Sequence, residues 1–525
     1  MALRINFNYS AAVTQTALQT NNRLMNKSLL RLSTGLRILN AADDSAGLFI
    51  ADQLAVVSAG LEQGNRNIQT GISALQIAEN SAGQIYNKLK EIYVKAENAA
   101  NDINDPNARA ALQREINNLI DAIEKIGRDT EYNGIKLLDG TFTNKYIHYG
   151  ARKDQVISVN IDSVLPKDLG AYIVKGQGAI YTSGAVSVGT FSANFTSATN
   201  WVVDSGDYVD VAGIRVLSYD GTRRFVDAKS LADAINTNKD LQALGIEAQA
   251  KNTNSASNSF TGFANFWSTT GSTATVSQVT LDFYIGNKDI TGSSDFQVTI
   301  DSNITSLNQL VEAINTQASA AGVDIKAKAV DGKLVLETGG GETIAVDVAV
   351  SGTDLSQGAT VNLSQILEGA SDITVSTNTN NYFYIDVGEI DIAGVESYNV
   401  NQSGVSASNE GFNFDVSTAT AKNLNAVSVL TNASAEEALL ILKKAIQRVD
   451  IVRSEIGAVM NNLQTIYDAQ KVAMDNTNEA ENVIRNVDFS KEMSTFTTLQ
   501  IRMQSGVAML AQANTLPQLV LQLLR

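Results

Sequence analysis

The sequence has no cysteine and a single histidine, His148, among its 525 residues. The first absence removes disulfides, thiolate metal sites and cysteine nucleophiles. The second removes any paired-histidine zinc motif and confines imidazole chemistry to one position, in a stretch flanked by Tyr146 and Tyr149. Proline is scarce too, with only Pro106, Pro166 and Pro517. No apolar run reaches the roughly 18 residues that a membrane-spanning helix needs. The opening stretch Met1 to Ser10 carries a positive charge but no apolar core of signal-peptide length, so synthesis in the cytoplasm without a cleavable signal is expected. Lys and Arg total 39 against 55 Asp and Glu, a net charge of −16. Such a balance leaves no electrostatic footprint for nucleic acid or anionic lipid.

Catalytic constellations are missing as well. Gly339–Gly341 follows a strand pattern but lacks the Gly-Lys-Ser/Thr ending that lets a loop cradle phosphate, and reads as a flexible turn. The carboxylate pairs Asp43-Asp44 and Glu436-Glu437 fall at helix starts, where the helix dipole favours them without any catalytic role. The expectation is a protein that is not an enzyme and holds neither cofactor nor metal.

What is present divides into two ends and a middle. At about 150 residues per domain the length suggests some three or four domains. Methionine occurs at Met1, Met25, Met460, Met474, Met493, Met503 and Met509, never between Met25 and Met460, whereas Trp201 and Trp267 lie inside that gap. At the amino end Leu18, Met25, Leu29, Leu32, Leu36 and Leu39 follow helical steps, with Asn22 skipped. Leu54, Val57, Leu61, Gly64, Ile68, Gly71, Leu75, Ala78, Ala82, Ile85, Leu89, Ile92, Ala96 and Ala99 then alternate by three and four, predicting one long helix with a narrow apolar seam. Its Ala and Gly positions predict close approach of a neighbouring helix. Asp105-Pro106 starts a further helix, with Asp as N-cap and Pro at the first turn, and Ile116 and Ile123 lie on its seam.

The carboxyl end mirrors this pattern. Ser434-Ala-Glu-Glu437 reads as a capping box, followed by a seam through Leu442, Ile446, Val449, Ile456 and Leu463 that Arg453 and Gln470 interrupt. Met493, Phe496, Met503, Val507 and Leu510 form another, broken at Gln500. Seams at both ends imply that the two ends pack together, with the middle inserted at the far end of a helical stalk. The fold class expected is α+β multidomain: long antiparallel, coiled-coil-like helices from both ends and inserted β-rich outer domains.

Strand-and-turn character dominates from about Gly176 to Ala421. It contains a weak repeat: Leu231-Ala-Asp-Ala-Ile-Asn-Thr237 leads into Gly245–Ala250, and Leu310-Val-Glu-Ala-Ile-Asn-Thr316 into Gly322–Ala327. Each copy reads as a short helix feeding a strand, so two α+β modules are expected, at about 176–275 and 276–421. No Lys or Arg separates Lys333 from Lys422, an interval holding twelve Asp and Glu residues; it reads as the solvated outer face of β modules.

The ends match a family. Leu32-Ser-Thr-Gly-Leu-Arg-Ile-Leu-Asn-Ala-Ala-Asp-Asp-Ser-Ala-Gly47 and Met509-Leu-Ala-Gln-Ala-Asn-Thr-Leu-Pro-Gln-Leu-Val-Leu-Gln-Leu-Leu-Arg525 resemble bacterial flagellin, as do Gln113-Arg-Glu-Ile116 and Tyr132-Asn-Gly-Ile-Lys-Leu-Leu138. The resemblance implies a structural subunit of the extracellular flagellar filament, exported unfolded through the flagellar type III apparatus. Residues 1–42 and 487–525 would be disordered in the monomer and form paired helices lining the filament channel. Residues 43–175 and 422–486 would form the helical shell domain, and 176–421 the variable outer insert.

The partners so implied are further copies of the chain, an export chaperone at Met493 to Leu524, and the filament cap and hook-filament junction proteins. Leu18 to Leu39 and Met493 to Leu510 would carry the polymerisation seam. Leu54, Val57, Leu61, Ile68, Leu75, Ile85 and Leu89 would form the shell seam together with Leu442, Ile446, Val449, Ile456 and Leu463. One departure concerns innate immunity. Family members that stimulate the Toll-like receptor carry Gln-Arg after a Leu, where this chain has Leu89-Lys90-Glu91, although Glu115 is similar to an acidic residue of that surface. Reversing the charge removes a bidentate donor, and weak receptor recognition is expected. Two alternatives accompany the filament reading: a hook-filament junction protein, and a filament subunit whose insert is also an adhesin. For the adhesin, the Ser/Thr-rich stretch from Asn252 to Ser277, with Phe260, Phe263, Phe266 and Trp267, is the first place to look, the plainer reading being that these aromatics are module core.

Overall fold

A computed structural model describes residues 8–101, 103–182, 186–187, 201–269, 274–376, 380–405 and 411–523. The chain forms two compact units, one of Met1–Asn80, Glu131–Asp162 and Ser454–Arg525, the other of Ser81–Thr130 and Ser163–Arg453. The architecture is α+β, with long helices at both ends and sheets in the middle. In chain order the helices among the described residues are α1 (Tyr9–Thr34), α2 (Ser45–Ala99), α3 (Pro106–Asp129), α4 (Ala228–Thr237), α5 (Lys239–Ala243), α6 (Phe263–Phe266), α7 (Leu307–Ala321), α8 (Asn432–Arg485) and α9 (Phe489–Leu523).

In the first unit α1 lies along α9. The Asn8 side chain caps α1 by accepting from the Ala11 N–H at 3.1 Å, and its amide also donates to the Ala513 carbonyl at 2.9 Å. Gly35 ends the helix in the left-handed region at φ 73°, its N–H bonded to the Arg31 carbonyl. The chain reversal beyond it is braced by the joint between α8 and α9: Arg37 N–H donates to the Arg485 carbonyl at 2.8 Å, and Val487 N–H to the Gly35 carbonyl at 2.9 Å. Within this unit α2 and α8 run antiparallel, joined by Arg485–Asp52, Asn478–Ser58 and Tyr467–Gln69.

Against the same part of α2 lies a β-hairpin, Lys145–His148 paired with Val156–Val159. A Cβ at Gly60 would stand 2.7 Å from that of Ala151, and one at Gly64 would overlap the Tyr149 carbonyl oxygen. One at Gly71 would overlap the Ile147 side chain. Asn67 then donates to the His148 carbonyl at 2.9 Å. The close approach expected at Gly64 and Gly71 is therefore made by a hairpin, not by a helix. His148 is an exposed residue of its first strand.

The second unit holds α3 and the β-rich middle. Asp105 caps α3, accepting from the Ala108 N–H at 2.7 Å, with Pro106 in the first turn. The cap of α8 is Thr431, not Ser434. Thr431 and Ser434 exchange bonds between side chain and backbone N–H at 3.1 and 3.0 Å, which frees Glu437 to pair with Lys175 and Lys422, each at 2.8 Å.

Two sheets dominate. One orders its strands Ile325–Val330, Lys333–Thr338, Glu247–Ser255, Glu389–Gly394, Gly170–Gly178 and Phe412–Phe414, with Thr420–Asn423 also on Gly170–Gly178. The other runs Phe296–Asp301, Thr275–Ile285, Ile344–Thr353, Asn380–Asp386 and Ile180–Thr182. Their pairs are antiparallel.

The cores are nested, where the sequence predicts consecutive modules divided at 275/276. One core gathers Val174, Trp201 to Ala248 and Phe383 to Ala419, mostly from either side of the other, which runs from Ala256 to Tyr384, and otherwise takes only Tyr284, Ile290 and Ala345 from within that span. The chain leaves the first core to build the second and then returns. This follows from antiparallel pairing between strands distant in sequence, such as Glu247–Ser255 with Glu389–Gly394, which local patterning does not register.

Candidate assembly surface

α1 and α9 share one narrow seam. Along α9, the carbonyls of Ala513, Leu499 and Glu492 accept from Asn8, Asn21 and Ser28 of α1 at 2.9, 2.8 and 3.5 Å. Whole heptads separate these acceptors, so they form one stripe. Leu499 and Ala513 are buried there, and Gly506 admits Leu18, whose Cδ2 would lie 2.7 Å from a Cβ at that position. Arg31 reaches Glu492 at 3.9 Å, and the Lys27 ammonium, bonded to Asp43 at 2.6 Å, holds that carboxyl below its ordinary range.

Of the residues expected to form this seam, Leu18, Met25, Leu32, Leu36, Leu39, Phe496, Met503 and Leu510 are half-buried. Leu29, Met493 and Val507 are 52, 55 and 56 % exposed. The packed row on α9 thus passes through Leu499 and Gly506, which the pattern broken at Gln500 leaves out. Asn21 and Ser28 hold the corresponding places on α1, and as polar residues they give no signal in a hydrophobic period.

The outer face of α1 is apolar and uncovered. A groove of about 740 Å³ is lined by Tyr9, Val13, Ala17 and Leu24, with Arg502 and Gly506 at its far wall. Tyr9, Val13, Leu24 and Leu30 on α1 are exposed, as are Ile501 and Met509 on α9. On soluble monomers, contiguous apolar patches larger than a few hundred Å² are rare.

Among the expected shell residues, Ile68, Leu75, Ile85, Leu89, Leu442, Val449, Ile456 and Leu463 are buried, whereas Leu54, Val57, Leu61 and Ile446 are half-buried. At the positions that the resemblance links to receptor recognition, Leu89 is buried and Lys90 and Glu91 are exposed. Glu91 pairs with Lys88 at 3.1 Å, and Glu115 with Lys95 at 2.5 Å, which raises the lysine above its ordinary value through their hydrogen bond.

In the insert, Phe260, Phe263 and Phe266 are buried in one core and Trp267 packs against it. They are module core and not a binding patch. The acidic interval is less solvated than its composition implies. Asp347 and Asp386 are buried, and Glu337, Glu342, Glu389 and Glu396 pair with Lys328, Lys229, Lys251 and Arg448, all supplied from outside the interval. Sequence reasoning missed Lys444, whose side chain is 1 % exposed and whose ammonium bonds Glu247 at 3.2 Å and the Gly245 carbonyl at 3.0 Å. Its position two residues past Leu442 offers no cue to burial. Among the described residues no group of three acidic, His or Cys side chains is placed to hold a metal ion, and no helix is long and apolar enough to cross a membrane.

Residues 5–143 match the bacterial flagellin N-terminal helical region, and residues 439–524 the bacterial flagellin C-terminal helical region. The chain is 50 % identical to "Flagellin" of Aquifex aeolicus (strain VF5) and 51 % identical to "Flagellin" of Aquifex pyrophilus, each over 100 % of both chains. A solved structure of FliC from Burkholderia pseudomallei covers 75 % of this chain and 99 % of its own, at 16 % identity and a TM-score of 0.27.

Proposed function

The chain belongs to the bacterial flagellin family and is a structural subunit of the flagellar filament, and from that premise we propose that the uncovered faces of α1 and α9 are the surfaces its copies bury against one another. The observation that carries this is the apolar groove of α1 beside a seam too narrow to cover either helix. Neighbouring subunits supply the missing apolar partners. A heterologous contact of this kind does not close on itself and builds a helical polymer.

Further assignments rest on the same reading. Residues 1–42 and 487–525 line the filament channel and gain most of their order on polymerisation, when the ordering entropy is offset by burial of the groove. Residues 43–175 and 422–486 make the shell contacts, and 176–421 face outward. Export through the type III apparatus in an unfolded state fits a chain without disulfides, with the α9 segment held by a chaperone that hides its apolar face. The subunit has no enzymatic role, contacts cap and junction proteins at the filament ends, and is a weak ligand for the Toll-like receptor because Glu91 is an exposed acid paired with Lys88.

Electron microscopy of purified protein tests the central claim. Long tubular polymers are expected from the full chain, and none after deletion of residues 493–525. A chain that stays monomeric under all salt and seeding conditions refutes it.

A further inference from the structure

Asp386 ends the strand Asn380–Asp386 and is buried inside the insert. Its Oδ2 accepts one hydrogen bond, 2.7 Å from the Asn254 amide. Asn254 is also a hub. The same amide nitrogen donates to the Tyr384 hydroxyl at 2.5 Å, and its carbonyl oxygen accepts from the Glu368 N–H at 3.1 Å. Glu368 returns the contact, its Oε2 accepting from the Ser255 N–H at 3.0 Å and its carbonyl from Tyr384 at 2.9 Å. Asn252 adds a bond to the Asp386 carbonyl and another to that of Glu342, each at 3.0 Å. The network thereby ties the strands Glu247–Ser255 and Asn380–Asp386 to the turn that carries Glu368.

The charges that face Asp386 are of its own sign. Glu368 reaches it from the turn and Glu389 from the neighbouring strand. Glu342 is engaged by Lys229 at 3.5 Å, and Lys251 by Glu389 at 3.5 Å, so neither lysine serves Asp386. A buried carboxylate that has, among the described residues, one amide donor and no cation is strongly disfavoured in its charged form. Burial, the largest influence, outweighs the opposing Asn254 hydrogen bond and, with Glu368 and Glu389 adding to it, pushes the Asp386 carboxyl up to about 7.

We propose that Asp386 is a proton-operated latch: protonated, it lets the Asn254 network close, and its ionisation drives local opening of the strand–turn junction around Glu368. The thermodynamics give the sign. The closed form holds its proton up to about pH 7, whereas the hydrated, opened form releases it near the ordinary aspartate value of about 4. Closing is therefore favoured at acid pH, and opening grows as pH rises between these values, by up to tenfold per pH unit, then levels off.

Hydrogen exchange of the full chain, corrected for the intrinsic pH dependence, tests this at the amides of Ser255 and Glu368. Their protection is expected to fall by up to tenfold per unit between about pH 5 and 7 and to flatten above, while Asp386→Asn makes it independent of pH over that range. A flat profile in the unaltered chain, or an equal slope in Asp386→Asn, overturns the proposal. If that variant fails to fold, carboxyl titration of Asp386 in the unaltered protein decides. A midpoint near 7 sustains the latch and a midpoint near 4 overturns it.

Discussion

The Tyr149 carbonyl oxygen occupies the space that a Cβ on residue 64 would need, so the hairpin reaches α2 only because residue 64 is glycine. Backbone cannot retreat as a side chain can, and Asn67 pins the preceding carbonyl, that of His148. Gly64→Ala is expected to displace the hairpin and lower the stability of its unit by about 1–3 kcal/mol. Gly71→Ala meets only the end of the Ile147 side chain and is expected to perturb less. Thermal unfolding of the two variants checks the order; equal melting temperatures for both would show that the hairpin yields freely.

Each Ile-Asn repeat ends in the same device. Asn236 donates to the Ala248 carbonyl at 2.7 Å and accepts from its N–H at 2.9 Å, while Asn315 does the same to Ala327 at 2.9 and 2.8 Å. The side-chain amide thus stands in for a neighbouring strand at the place where α4 or α7 turns back to the sheet. Asn236→Ala or Asn315→Ala strands a buried carbonyl and N–H and is expected to cost about 1–3 kcal/mol each. Asn→Asp keeps the acceptor but sets a carboxylate oxygen against the Ala248 or Ala327 carbonyl, so at neutral pH it should cost at least as much as Ala. Denaturant unfolding that leaves the Ala variants at the original midpoint contradicts the device.

How much of this could be read beforehand depends on the kind of signal. The helical period, Asp105-Pro106 and the Ile-Asn repeats are local, and their elements stand where the residues predict. Gly64 and Gly71 announce a close neighbour but not its kind, since glycine admits a hairpin as readily as a helix. Glu437 mimics a capping residue while Thr431 performs the capping, because choosing between them requires Lys175 and Lys422 to be near, and these come from remote strands. The polar members of the α1 seam, Asn21 and Ser28, are invisible to a hydrophobic pattern for the same reason: their partners are carbonyls on the other end of the chain.

The pair of buried Lys444 and half-buried Glu247 is expected to respond unequally to removal of its two partners. Lys444→Met fills the site with an apolar chain and leaves Glu247 paired to Lys443. Glu247→Leu leaves Lys444 buried with only the Gly245 carbonyl and Gln447 around its ammonium, a loss on the order of 3–5 kcal/mol. Burial already lowers the lysine below its ordinary value despite Glu247. Chemical denaturation ranks the two, and a larger loss from Lys444→Met would invert the argument.

Acid should act on the start of α8 through Glu437. Burial raises its carboxyl, but the bonds from Lys175 and Lys422 prevail and hold it below the ordinary 4.5. A depressed folded value means that the stabilisation is present above the unfolded value and disappears as pH falls through the folded one. Glu437→Gln is therefore expected to lower stability at neutral pH and to match the unaltered chain at the acid end of the titration. Melting temperatures recorded from neutral to strongly acid pH decide this: parallel curves would remove Glu437 from the acid response.

The groove of α1 separates contacts within a chain from contacts between chains. Leu24 is 46 % exposed and lines the groove without joining the α9 seam, so Leu24→Asp leaves intramolecular packing alone and is expected to change monomer stability by no more than about 0.5 kcal/mol. In a polymer the same carboxylate would be buried against an apolar neighbour with no cation supplied, a penalty of several kcal/mol at every subunit. Repetition along the lattice makes that penalty decisive, and Leu24→Asp should fail to polymerise even when seeded. Circular dichroism should meanwhile show the unaltered monomer gaining helix as it assembles and the variant remaining at the monomer level. Filaments of ordinary length from Leu24→Asp would place the groove on a free surface and end its assignment to assembly.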